Sequence, residues 1–177
     1  MELPALATLD ELAGWMQVEP DDLPESAGMV LDIVSAIVRA EARQTFTRRT
    51  STVVLYPDNG RVSLPQRPVV SVSDVLDDHY GTSLAYRLRR DVIHLDRHAE
   101  AIRVTFTHGY SKVPGDVLAV ALTAAQRVVS NPRDYRQETV GAISVTYAAE
   151  TIGASLSQAD RDLLARYRRT VAVVKLC

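Results

Sequence analysis

Four histidines and one cysteine are the residues of this chain best suited to chemistry. His94 and His98 stand four apart, a spacing that on a helix would set both imidazoles on one face as a pair of metal ligands. The residues around them, Ile93 to His98, lie where a two-residue period ends and a turn begins, so that geometry is not expected. His79 follows two acids in a loop, and His108 precedes Gly109 at a strand-to-loop corner; both read as solvated or capping side chains. Cys177 is the sole cysteine and has no partner for a disulfide, which fits a reducing compartment. The patterns GxSxG, GxGxxG, GxxxxGKS, GxxxxGKT and HExxH do not occur. No catalytic residue, metal ligand or cofactor site is therefore expected, and the chain reads as a non-enzyme.

The remaining reactive chemistry is charge. The arginines at Arg48-Arg49 and at Arg87, Arg89 and Arg90 could meet phosphate. In a strand, Arg87 and Arg89 share one face and Arg90 takes the other with Tyr86, the pattern of a solvated edge. Their candidate role is to line a channel through which DNA passes without base recognition. Net charge is only -2, which argues against a general nucleic-acid binder. The distribution is uneven: eight acids and no Lys or Arg precede Arg39, whereas Arg161, Arg166, Arg168, Arg169 and Lys175 follow Glu150. Two solvated helix faces would account for this, and so would head-to-tail matching between neighbouring copies.

These residues need elements to hold them. Thr8 and Glu11 have the spacing of a capping box, predicting a short helix to about Met16. Val30, Ile33, Val34, Ile37 and Val38 recur at helical spacing and predict a long helix near 25–44. Its small residues Ala27, Ala36, Ala40 and Ala42 would let another backbone or a neighbouring subunit approach. From Thr50 the period changes to two, with Asn59-Gly60 as a hairpin turn, and about five short strands fill residues 50–110. Pro114 and Asp116 open a buried helix at 116–130, and Asn131-Pro132 stops it. A hairpin-like strand at 138–148 contains Gly141, and Ser157 and Asp160 cap a last amphipathic helix at 157–169. The fold class is α+β: one domain over 1–177, a helical core with an inserted antiparallel β subdomain, and an apolar tail at 170–177. No apolar run approaches the roughly 20 residues that span a bilayer, and the acidic start is unlike a signal peptide.

Four segments in order carry a family likeness: LPQRPVVSV at 64–72, VTFTHGYSKVPGDV at 104–117, the helix ending in Asn131-Pro132, and ETVGAISVTYA at 138–148. Together they resemble the gp6-like head-tail connector, or adaptor, proteins of tailed bacteriophages. Physically, Gly109, Pro114, Asp116, Pro132 and Gly141 have structural jobs: unusual φ, a pre-set first turn, an acid at the positive helix end, a stop and a bend. The resemblance implies a structural protein that docks as a twelvefold ring on the portal, extends the DNA channel and meets the stopper or tail proteins. A neck-closing or tail-completion protein of the same virion is the alternative. The implied location is the virion neck, assembled in the bacterial host cytoplasm. The implied partners are the portal, the stopper or tail, further copies of itself and passing double-stranded DNA, with no membrane. Portal docking falls to the carboxy-terminal segment, with Asp160, Arg161, Leu164, Tyr167, Arg168, Arg169, Val171, Val173, Val174 and Leu176 as its candidate residues.

Overall fold

A computed structural model describes residues 3–132, 137–140, 143–146 and 154–168. The fold is α+β, and the chain divides into two compact units. One runs to Gln44 and resumes at Val113; the other, Thr45–Lys112, is inserted between those stretches.

The first unit is built on helices α1 (Leu9–Met16), α2 (Ala27–Ala42), α3 (Gly115–Ser130) and α4 (Gln158–Ala165). The capping box of α1 is formed: Glu11 N–H donates to Thr8 Oγ1 at 3.1 Å and Thr8 N–H to Glu11 Oε2 at 2.9 Å. Helix α3 starts after Pro114, ends at Asn131 before Pro132, and buries Val117, Val120, Ala121, Leu122, Ala124 and Ala125. Helix α2 is shorter than 25–44, because Arg43 adopts a left-handed conformation as its C-cap. Its buried stripe is Ala27, Leu31, Val34, Ser35, Val38 and Ala42, which leaves Ile33 48% exposed. Buried Ser35 accepts Leu6 N–H at 2.8 Å, so a polar residue occupies the inner stripe because it ties down the chain ahead of α1. Strands β7 (Gln137–Val140) and β8 (Ile143–Thr146) pair antiparallel; Gly141 lies outside the described residues.

The second unit holds six strands, one more than expected, in two three-stranded sheets. These are β1 (Arg49–Leu55), β2 (Arg61–Ser63), β3 (Val69–Asp77), β4 (Tyr86–Arg89), β5 (Val92–Leu95) and β6 (Ile102–His108). The orders are β1-β6-β3 and β2-β5-β4, all antiparallel. The expected hairpin between β1 and β2 does not form. Asn59 and Gly60 do make the turn, both at positive φ, and Asp58 and Arg61 exchange backbone hydrogen bonds at 2.9 Å in both directions. The ladder does not continue beyond that pair: β1 pairs with β6, and the turn delivers β2 to the other sheet, where it pairs with β5. Strand β6 is central in its sheet, and Ile102, Val104, Phe106 and His108 on its inner face are all fully buried. Ile102, Val104 and Phe106 pack with Leu64, Val75, Leu84 and Ile93 as one core.

Gly109 follows that strand at φ +90. A Cβ there would stand 2.3 Å from the Thr47 carbonyl oxygen, so only glycine lets the two backbones meet at this corner.

Candidate interaction surfaces

The carboxy-terminal helix is fixed to its unit by charge and caps. Asp160 N–H donates to Ser157 Oγ at 3.2 Å, and Asp160 Oδ2 accepts both Ser157 N–H at 2.9 Å and the Arg127 guanidinium at 3.0 Å. This carboxylate caps α4 and pairs with α3 at once, which explains why an acid is tolerated in so buried a position. Leu164, on the same side of α4, is 1% exposed. Beyond the helix, Tyr167 O–H donates to the Asp116 carboxylate, 2.8 and 2.9 Å from its two oxygens, and Arg166 pairs with Asp116. Arg168 pairs with Glu41 and also donates to the Glu41 carbonyl at 2.8 Å. Asp116 sits in the first turn of α3, where the helix dipole favours it, and so joins both ends of this arrangement.

Of the sequence-derived docking residues, Asp160, Leu164, Tyr167 and Arg168 therefore make contacts within their own unit, and Arg161 is exposed. Arg169, Val171, Val173, Val174 and Leu176 lie outside the described residues. The helix itself ends at Ala165, short of Arg169, and Arg166–Arg168 form a turn. The acids that Arg166 and Arg168 meet, Asp116 and Glu41, lie outside the acidic segment that precedes Arg39.

Helix α2 turns a second stripe outward. Met29, 62% exposed, Ile33, Ala36 and Ala40 are spaced four, three and four apart, the a/d spacing of a helix seam. The four alanines divide: Ala27 and Ala42 are buried inside the unit, Ala36 and Ala40 belong to the exposed seam.

In the inserted unit, Arg87, Arg89 and Arg90 are all exposed. Arg87 and Arg89 lie on β4, and Arg90 sits at positive φ in the turn to β5 instead of continuing the strand. Register adds two residues that the sequence did not group with them. His94 on β5 stands opposite Arg87 on one side and Arg61 on the other, giving a row Arg61–His94–Arg87 across the sheet face. Strand spacing puts the two arginine backbones about 10 Å apart. No local motif joins Arg61 to Arg87; only the β2-β5-β4 order does. His98 lies in the loop after β5, away from that row in register. Among the described residues no group of three or more His, Cys, Asp or Glu is arranged to hold a metal ion.

His108 is a buried residue, not the solvated corner histidine its neighbours suggested. Its ring is 0% exposed, Nε2 lies 2.9 Å from Ser51 Oγ, and Nδ1 has no hydrogen-bond partner. It is buried because it continues the inner face of the central strand. Burial first, and the nearby Arg49 charge second, push its pKa below the ordinary histidine value. No helix of the described residues is long and apolar enough to cross a membrane.

No protein-family model matches the sequence, and no curated protein does. Solved structures do share the fold. The chain is similar over 99% of its length to a chain, itself 99% covered, in the neck of a native gene transfer agent (GTA) particle with C12 symmetry, at TM-score 0.57 and 17% identity. A chain in the neck of an empty GTA particle with C6 symmetry matches at TM-score 0.65 and 16% identity, over 96% of this chain and 93% of that one. A chain from the virion of a native gene transfer agent particle matches at TM-score 0.59 and 16% identity, over 94% and 89%. These likenesses extend through both units and establish a shared fold.

Proposed function

We propose that this chain is a structural neck protein of a tailed phage or phage-like particle, of the head-tail connector type, acting as a ring of identical copies docked on the portal. The observation that carries the reading is the end-to-end likeness to chains of particle necks with C12 and C6 symmetry. The ordered segments at 64–72, 104–117 and 138–148, which resemble those of head-tail connector proteins, support it as well. A ring of identical copies needs two different complementary patches on each copy, and the outward seam of α2 is one apolar surface of that kind.

In this reading α4 is the rigid platform and the segment beyond it makes the portal contact. The pairs Arg127–Asp160, Arg166–Asp116 and Arg168–Glu41 hold the platform. Arg161 and Arg169, with Val171, Val173, Val174 and Leu176, provide the docking surface, while Asp160 and Leu164 set its geometry from within. The basic row Arg61–His94–Arg87, with Arg89 and Arg90 beside it, faces the DNA channel and meets phosphate without base readout. The lower face of the ring receives the stopper or tail proteins.

The test is negative-stain imaging of the protein mixed with the portal ring encoded by the same genome, beside each component alone. A collar added to the narrow end of the portal is the expected result. Folded components that form no collar would overturn the adaptor role and move the chain to a later neck or tail position. A chain truncated after Arg169 should remain folded and lose the collar.

A further inference from the structure

Strand edges that are left unpaired invite pairing with another chain, so folded proteins shorten, charge, bulge or cover them. The inserted unit does this at three of its four edges. Strand β2 has only three residues; β4 has four and carries Arg87 and Arg89. Strand β3 is broken by two register shifts. The residues after it also cover its outer edge: Leu84 N–H donates to Val75 C=O at 2.9 Å and Tyr86 O–H to Val72 C=O at 3.2 Å.

Strand β1 is the exception. It runs seven residues, Arg-Thr-Ser-Thr-Val-Val-Leu, in unbroken register with β6, without proline, lysine or bulge. Its outer side can be identified from β6. Gly109 N–H donates to Pro68 C=O, and Thr105 C=O accepts Ser73 Oγ, so residues 105, 107 and 109 turn their backbone groups toward β3. By alternation, His108, Phe106, Val104 and Ile102 bond to Arg49, Ser51, Val53 and Leu55. Thr50, Thr52 and Val54 then direct their N–H and C=O groups away from the sheet. The side chains agree: Thr50–Thr107 and Thr52–Thr105 hydroxyls are each 2.9 Å apart, the close approach of opposed residues that do not exchange backbone bonds. No backbone hydrogen bond to that outer side is made among the described residues.

The other unit holds the complementary piece. Strands β7 and β8 form a two-stranded sheet that pairs with no third strand among the described residues. An isolated hairpin of this kind is marginal in water and gains from joining a larger sheet. Ile143-Ser-Val-Thr146 is uncharged and rich in β-branched residues, whereas β7 contains Glu138.

We propose that β1 is an acceptor edge for a second copy of this chain, and that the occupant is the β7–β8 hairpin, added through β8. The result is one continuous antiparallel or parallel sheet shared by two copies, β3-β6-β1 followed by the incoming β8-β7. An edge on one copy and a hairpin on the next are two different patches, which makes the contact heterologous and able to close a ring. This inference rests on the ring reading above and specifies one of its contacts.

The test uses full-length chains in a Cys177→Ser background, each with one new cysteine, so that a disulfide in a mixture can only join two copies. Chains with Thr50→Cys, Thr52→Cys or Val54→Cys are each mixed with chains carrying Ile143→Cys or Val145→Cys, assembled on the portal, oxidised and run on a non-reducing gel. Tyr80→Cys, on an exposed loop, is the control partner. Dimer bands at one register and none with Tyr80→Cys are expected. Portal-bound rings that give no dimer band in any pairing would overturn this contact and leave the ring reading standing. Chains that stay monomeric beside the portal would overturn both. A Val54→Cys, Val145→Cys double variant that cross-links within one chain, with no band in the mixtures, would show that the hairpin closes on its own copy and overturn the contact between copies.

Discussion

Replacing Gly109 by alanine separates two costs that glycine conceals. The first is conformational: at φ +90 a side chain costs about 1–2 kcal/mol against the left-handed backbone. The second is steric, and here the neighbour cannot yield. The added Cβ would stand 2.3 Å from the Thr47 carbonyl oxygen, 2.7 Å from its carbon and 3.0 Å from Arg48 N, all backbone atoms. Both sides of the gap are tethered, since Gly109 N–H donates to Pro68 C=O at 2.9 Å and Tyr110 N–H to Phe46 C=O at 3.2 Å. Relieving the overlap means shifting one of those strands, worth about another 1–3 kcal/mol. The sum, about 2–5 kcal/mol, falls on the inserted unit.

Gly81 supplies the internal control. Its φ is +66, but a Cβ there meets nothing within 4 Å, so Gly81→Ala carries the conformational cost alone. Urea unfolding of both variants, followed by hydrogen exchange on β1 and β6, should show Gly109→Ala the weaker by at least about 1 kcal/mol. Trp15, the only tryptophan, belongs to the other unit and reports separately on whether that unit is spared. Equal losses in the two variants would refute the steric argument, and with it the claim that glycine is required by the approach of Thr47.

Other outcomes follow from particular contacts. Because the folded pKa of His108 is lowered, the neutral ring is favoured: its contribution is complete above the ordinary value of 6.5 and is lost as pH falls below it toward the lower folded value. Urea midpoints should therefore drop between pH about 8 and about 5, and a Ser51→Ala, His108→Leu chain should lose the part of that slope due to this residue. Asp160→Ala removes half a capping box and strands Arg127, for a loss of about 2–4 kcal/mol by thermal unfolding. In Arg127→Met the remaining cost of Asp160→Ala should shrink to that of the cap, about 1 kcal/mol. Ile33→Lys, on the outward seam of α2, should change folding stability by under about 0.5 kcal/mol yet weaken ring formation on the portal in sedimentation runs. Arg61→Ser with Arg87→Ser should leave collar formation intact and flatten the salt dependence of binding to a short DNA duplex.

Local chemistry made some elements legible and topology hid others. Both capping boxes could be read because Thr8 with Glu11, and Ser157 with Asp160, interact within three residues. The Asn59-Gly60 turn was equally local, but its hairpin depended on which strands β1 and β2 would pair with. The partner of β1, β6, lies about fifty residues on. The same distant pairing makes β6 central and buries His108, which periodicity alone cannot distinguish from a residue at an exposed corner. In α2 the apolar residues occupy two stripes, and nothing in their hydrophobicity said which faces inward; Ser35 inside and Ile33 outside invert the simple expectation. Of the candidate docking residues, the sequence could not show that Arg168 and Tyr167 are committed to Glu41 and Asp116.

The single copy leaves some of its surfaces unsatisfied. Three features here carry a cost for an isolated chain. The outward seam of α2 exposes Met29 and Ile33 to water. The free edge of β1 risks uncontrolled pairing, and the row Arg61–His94–Arg87 places two exposed arginines on one sheet face. Elsewhere the same chain is careful, pairing Asp160 with Arg127, covering the edge of β3 and shortening β2 and β4. Each exposed feature also asks for a different partner: a helix, a strand and a polyanion. In the ring proposed above, neighbouring copies and DNA would supply all three. The contrast between guarded and unguarded surfaces is thus a physical argument for assembly that stands apart from the likeness of the fold.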